Sequence, residues 1–233
     1  MHHQTTEIHM TEGSIAKALF RYTVPVFFSQ ILQQCYSMAD GVIIGQFAGA
    51  DALAAIGTAS LLLSVIINFF IGMSTGISVV TARLFGAEEY PQLKQAITTS
   101  VFLCVIAGIV MTAVGLSGTS AFLTWLRTPE EVYGIALRYL SICFWGMTAQ
   151  LLYNVGTAIL RSLGNTRSAL IYLGASAFLN LTLDLLLVAG LDMGIAGAAY
   201  ATLLSQWLSA FLVVRKMLTL DRQYALESKP SLI

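Results

Sequence analysis

The fold class predicted by the sequence is an all-α polytopic membrane protein, a bundle of six transmembrane helices, and three observations predict it. The first is composition: of 233 residues, 57% are hydrophobic and only 10% charged, with a mean hydropathy of +0.77. Soluble domains are about one quarter charged, so this chain cannot cover a water-soluble enzyme domain with polar surface. The second is a series of long apolar runs separated by charges. The third is the uneven placing of Lys and Arg among the connecting segments.

The runs are taken in order. Residues 1–13 form a polar tail that holds all three histidines, His2, His3 and His9. Apolar runs then span 22–45, 53–81, 95–122, 132–159, 168–191 and 194–214. About 20 residues cross a bilayer core, so several of these runs must tilt or extend beyond it. None alternates with a period of two, and barrel strands would be only about ten residues long. In lipid that leaves helices. Pro25 lies inside the first run and should weaken or kink it. The stretch Thr128-Pro129-Glu130-Glu131 predicts the fourth helix start, with Thr as N-cap, Pro at the first helical position and a Glu three residues after the cap. Gly164 in Leu163-Gly164-Asn165-Thr166 predicts its C-terminal cap. In the sixth run, Gly194, Gly197, Ala198 and Ala201 are small enough for close backbone approach. Residues 217–233 form a polar linker.

Charge sets the orientation. With the N-terminus inside, the inner segments hold ten basic residues, among them Arg21, Arg83, Lys94, Arg161 and Arg215, and the outer loops hold only Arg127 and Arg138. Such a bias puts both termini in the cytoplasm and requires an even number of spans. A net charge of zero gives no footprint for nucleic acid. Cys35, Cys104 and Cys143 lie singly in apolar runs, with no CxxC motif and no Cys/His pair, so they read as small buried hydrophobes. No nucleophile–base pair, phosphate-cradling loop or haem ligand pair is present, so an enzyme is disfavoured.

Asp40 and Asp184 break the apolar pattern. An acid deep in a span costs roughly 2.5–3.5 kcal/mol and usually marks an ion or proton site facing the bundle interior. Asp40 lies nineteen residues after Arg21, and Asp184 seventeen after Arg167, or about 28 and 26 Å of helix. The two acids therefore sit at similar depth, which suggests one site. Gln30, Gln33, Gln34, Ser37 and Asp40 share an arc of about 120° on the first helix. Asn180 and Asp184 lie one turn apart on the fifth, and Thr202, Ser205, Gln206 and Ser209 form a stripe on the sixth. Asn154 adds an amide nearer the cytoplasm. Such oxygen donors suit a sodium ion or an exchangeable proton, and no other metal is expected. Interhelical hydrogen bonding is the alternative role for the neutral polar residues, and Asp40 could instead be solvated near an outer interface. Tyr36, Tyr153, Phe27, Phe28, Trp145 and Trp207 are candidates for lining a cavity or for packing against lipid.

Four blocks resemble multidrug and toxic compound extrusion (MATE) transporters: VPVFFSQILQQCYSMADGVIIGQFAGADALAAIG, GMSTGISVVTARLFGA, YNVGTAILRSLGNTRSAL and FLNLTLDLLLVAGLDMGIAGAAYATLLSQ. The resemblance implies the N-terminal six-helix lobe of a twelve-helix antiporter in the plasma membrane, exporting small organic, cationic or amphipathic compounds in exchange for sodium ions or protons. It implies a cation site at Asp40, Asn180, Asp184 and Thr202, with Asn154 as a further member, and a bend of helix one at Pro25. Gln33, Gln34, Tyr36, Ser37 and Tyr153 would line the cavity. The partners implied are the lipid bilayer and a second six-helix lobe, the present chain being a fragment whose inter-lobe linker is truncated; a second copy of the chain is the alternative. A lipid-linked saccharide flippase and a transport-incompetent bundle are the rival functions.

Overall fold

A computed structural model of the chain describes residues 15–220. Among these residues there are six helices and no strand: α1 (Ile15–Phe47), α2 (Ala50–Gly86), α3 (Tyr90–Trp125), α4 (Glu130–Ser162), α5 (Thr166–Asp184) and α6 (Gly194–Leu218). A six-residue π-helical segment, π1 (Leu185–Gly190), continues α5. The sequence reading drew this segment as plain helix. Five spans are apolar enough to cross a membrane, the α5–π1 pair counting as one. Helix α1 falls short because Gln30, Gln33, Gln34, Ser37 and Asp40 dilute its apolar run. The polar face that marks its role also lowers its hydropathy.

The helices alternate in direction, so one end of the bundle carries the start of α1 and the end of α6. We call this the near end; the far end carries Phe47 and Gly194. Helix α4 is the hub, packing on α2, α3 and α6, while α5 packs on α6 and α1. A far-end core joins Ile44, Ala52, Ala55, Leu140, Phe144 and Val188, and a near-end core joins Leu93, Ile97, Leu151, Ile159 and Met217. Large apolar side chains such as Val65, Phe69, Val114 and Phe211 stay exposed on the bundle surface. Hydroxyls within the spans satisfy themselves locally: Ser74 Oγ, for example, donates to the Phe70 carbonyl at 2.8 Å.

The helix ends confirm one predicted cap and correct another. Gly164 takes φ +79, and the amides of Gly164 and Asn165 donate to the carbonyls of Arg161 and Leu160. This closes α4 as expected. Asn165 then caps α5 by accepting from the Ser168 amide at 3.3 Å. Asn165→Ala should destabilise the protein by about 1 kcal/mol, readable as a lower unfolding midpoint in detergent. Thr128, by contrast, is not the cap of α4. Its amide is used to end α3, donating to the Leu123 carbonyl behind Arg127 at φ +52, and its buried Oγ1 has no partner. Pro129 takes the capping position instead, its carbonyl accepting from Val132 and Tyr133. Helix α1 runs unbroken through Pro25, whose carbonyl accepts from Ser29 Oγ at 2.7 Å.

Candidate functional site

The parallel helices α1 and α5 bring the two acids together. The Asp184 carboxyl lies against that of Asp40, Asp184 being fully buried. Asn180, one turn before Asp184, joins α5 to α6. With its Nδ2 turned to Asp184, it donates to Oδ2 at 3.0 Å and its oxygen accepts from the Thr202 amide at 3.2 Å. The opposite orientation offers only a 3.5 Å contact from Nδ2 to Thr202 Oγ1, with the amide oxygen facing acceptors. The first orientation is therefore favoured. Asp40 Oδ1 and Asp184 Oδ1 are buried and unpartnered. Two apposed carboxyls with orphaned oxygens call for a proton or a hard cation between them.

This cluster stands at the wall of a cavity of about 440 Å³ between α1, α2, α4, α5 and α6. Asp40 and Thr202 line the cavity, while Asn180 and Asp184 stand behind them. Of the residues expected to line it, Gln33, Tyr36, Ser37 and Tyr153 do so. Gln34 does not; it is exposed on the surface of α1. The whole polar stripe of α6, Thr202, Ser205, Gln206 and Ser209, faces the cavity. Asn154 stays apart: it is absent from the wall, and its buried Nδ2 has no partner. Its position near the end of α4 keeps it about three turns from Cys143, the α4 residue facing Asp40. Phe27, Phe28, Trp145 and Trp207 point outward, 47–61% exposed, as membrane-facing side chains do.

The sequence reading missed several wall residues. Tyr139 and Cys143, whose side chains touch, come from α4, and Ser60 and Ser64 from α2. Tyr139, Cys143, Met147 and Gln150 recur at three- and four-residue intervals, the spacing of one helix face. That was the available signal, but it mixes polar and apolar types and so resembled ordinary packing. The serines of α2 bond their own helix and carried no signal of their own.

Six long helices around a cavity, with one acid in its wall and a second directly behind it, define a polytopic membrane bundle. The chain belongs to the MatE family, whose profile matches residues 25–186. It is 31% identical over 196 residues to the probable multidrug resistance protein YpnP of Bacillus subtilis, covering 84% of this chain and 44% of that protein. It is 29% identical over 208 residues to the probable multidrug resistance protein YoeA of the same organism, covering 88% and 45% respectively. The bundle superposes on the outward-facing conformation of a multidrug resistance MATE family transporter with a TM-score of 0.90 and 26% identity, covering 98% of this chain and 51% of that one. The chain thus spans about half the length of the relatives it matches.

Proposed function

We propose that this chain is the N-terminal lobe of a cation-coupled antiporter that exports amphipathic organic compounds across the plasma membrane, its termini in the cytoplasm. The coupling ion, sodium or proton, binds between Asp40 and Asp184, with Asn180 and Thr202 completing the shell. The apposition of two carboxyls, each with one buried oxygen that lacks a partner, at the edge of a cavity carries this reading. The cavity supports the substrate class: Asp40 is the only charged side chain among the described lining residues, so the wall favours cationic or neutral molecules. A lipid-linked saccharide carrier would need basic groups there to hold its phosphates.

A face of α1 and α2 supports a second lobe. Gln30, Gln34 and Asn68 are exposed within the spans, where bare hydrocarbon is a poor partner for an amide. Water in a central cleft, or the opposing lobe, would satisfy them. Export follows if cation and substrate favour oppositely facing states of the two lobes.

The direct test is ligand-linked stability. Raising sodium at fixed pH, or lowering pH without sodium, should raise the unfolding midpoint of the purified protein. A ligand at 100 times its dissociation constant adds about 2.7 kcal/mol. The gain should vanish in Asp40→Asn. A midpoint indifferent to both ions would refute the assignment.

A further inference from the structure

Helices α2 and α3 follow one another in the chain, yet each packs mainly on α4 and little on the other. The gap between them is a groove of about 690 Å³ at the near end, which shares no lining residue with the cavity described above. Met73, Gly76, Val80 and Leu84 form its α2 wall, and Gln92, Gln95, Thr99 and Ser100 its α3 wall. No described residue of the lining is charged. At 100° per residue, Met73, Val80 and Leu84 lie about 120–160° round α2 from Asn68. The groove therefore opens away from the polar face that a second lobe would cover, and onto the membrane.

Its polarity is graded with depth. Helix α3 has 36 residues, about 54 Å of helix, so it overshoots a hydrocarbon core of about 30 Å by about 12 Å at each end. Gln92 and Gln95, in the first two turns of α3, then stand at headgroup depth. Thr99 and Ser100, in the third turn, reach the edge of the hydrocarbon, where glycerol esters lie. Leu103, Ile106 and Val110 carry the same helix face onward and are all exposed.

The polar groups of this wall are unspent. Ser74, on the neighbouring helix, bonds its own backbone. The hydroxyls of Thr99 and Ser100 and the side-chain amide of Gln92 form no hydrogen bond among the described residues. Beside Leu84, Arg83 is exposed in the last turn of α2 and its side chain forms no ion pair among the described residues. Glu88 and Glu89 are exposed in the turn that joins the two walls.

We infer that this groove holds one zwitterionic phospholipid of the phosphatidylethanolamine type, drawn from the near-end leaflet. Its phosphate accepts from Arg83 and Gln92, the long arginine stem lying along the groove rim. Its ester carbonyls accept from Thr99 and Ser100, and one acyl chain follows Leu103 and Ile106. Glu88 and Glu89 favour the ammonium group and disfavour a headgroup of net negative charge. The lipid fills a gap that protein side chains leave between α2 and α3. None of this depends on the cation site.

The test is a lipid titration of the natural full-length polypeptide, read by native mass spectrometry. Phosphatidylethanolamine, phosphatidylglycerol and diacylglycerol of matched chains are compared. Phosphatidylethanolamine should fill the tightest site with at least about tenfold higher affinity than either, the worth of one hydrogen bond to a charged group. Arg83→Gln should cost about as much. Gly76→Leu puts bulk into the groove where an added Cβ meets nothing within 4 Å, so the variant should fold and lose the preference. Thr99→Val with Ser100→Ala removes the hydroxyls without adding bulk; it should weaken binding too, and serves if Gly76→Leu unfolds. Equal binding of the three lipids would overturn the assignment. Phosphatidylglycerol binding as tightly as phosphatidylethanolamine would overturn the occupant named here. A preference that survives in the folded groove variants would place the lipid elsewhere on the protein and overturn the groove.

Discussion

Asp40→Asn and Asp184→Asn should each abolish cation-driven export in proteoliposomes while the protein still folds and reaches the membrane. The expectation follows from the apposition of the two carboxyls. Together they can hold a positive ion or share a proton; an amide at either position leaves a site with less charge and one fewer strong acceptor. Coupling between two ligands is typically worth about 1–3 kcal/mol, a factor of about 5–150, and should fall to nothing in either variant. The amide is nearly isosteric with the acid and removes a costly buried charge, so stability should hold or rise. Substrate binding without the ion gradient should persist at Asp184, which stands behind the cavity wall, and weaken for cationic substrates at Asp40, which lines it. Undiminished coupled export in both variants would rule out the site.

Gly108→Ala should destabilise the bundle by about 1–3 kcal/mol, the range for overpacking a well-fitted core. A Cβ at this position would lie 2.7 Å from Thr148 Cα, and a backbone atom cannot rotate aside. Helices α3 and α4 would have to separate, disturbing the hub on which α2 and α6 also pack. Gly118→Ala, on the same helix with nothing within 4 Å of the added methyl, should be neutral or slightly stabilising. Unfolding midpoints of the two variants in one detergent make the comparison. Equal effects would mean that the α3–α4 contact is looser than described.

Much of the architecture was legible before any coordinates. Spans of 20 or more apolar residues admit few structures in lipid, so element type and approximate boundaries followed from composition. The depth argument for Asp40 and Asp184 worked because a helix rises by a constant 1.5 Å per residue. Counting residues from a charged end therefore measures distance. The same arithmetic put Asn154 nearer the cytoplasm, although the family resemblance still counted it as a member of the site. Local caps were less legible: Thr128 has the right chemistry for a helix start, yet the end of α3 claims its backbone first. Two adjacent helices compete for one short connection, and sequence pattern scores each helix separately.

Rotation about the helix axis was decided only by packing. The sequence put Gln33 and Gln34 within one arc, but a turn of about 100° per residue sends one to the cavity and the other to the surface. The choice depends on how α1 lies against α2 and α5. Tyr139, Cys143 and the α2 serines joined the wall for the same reason, since a helix face becomes a cavity wall only once its neighbours stand back from it. The π turn after Asp184 was invisible as well. Its residues, Leu-Leu-Leu-Val-Ala-Gly, would form an ordinary helix, and the close approach of α6, where a Cβ at Gly197 would lie 3.0 Å from the Leu187 carbonyl, belongs to the tertiary structure. By itself, then, the sequence determined which residues cross the membrane and which carry charge at matching depth, because both depend on transfer energy and helix rise along one chain. The tertiary structure decided which of them meet, because that depends on the rotation and separation of six helices packed against one another.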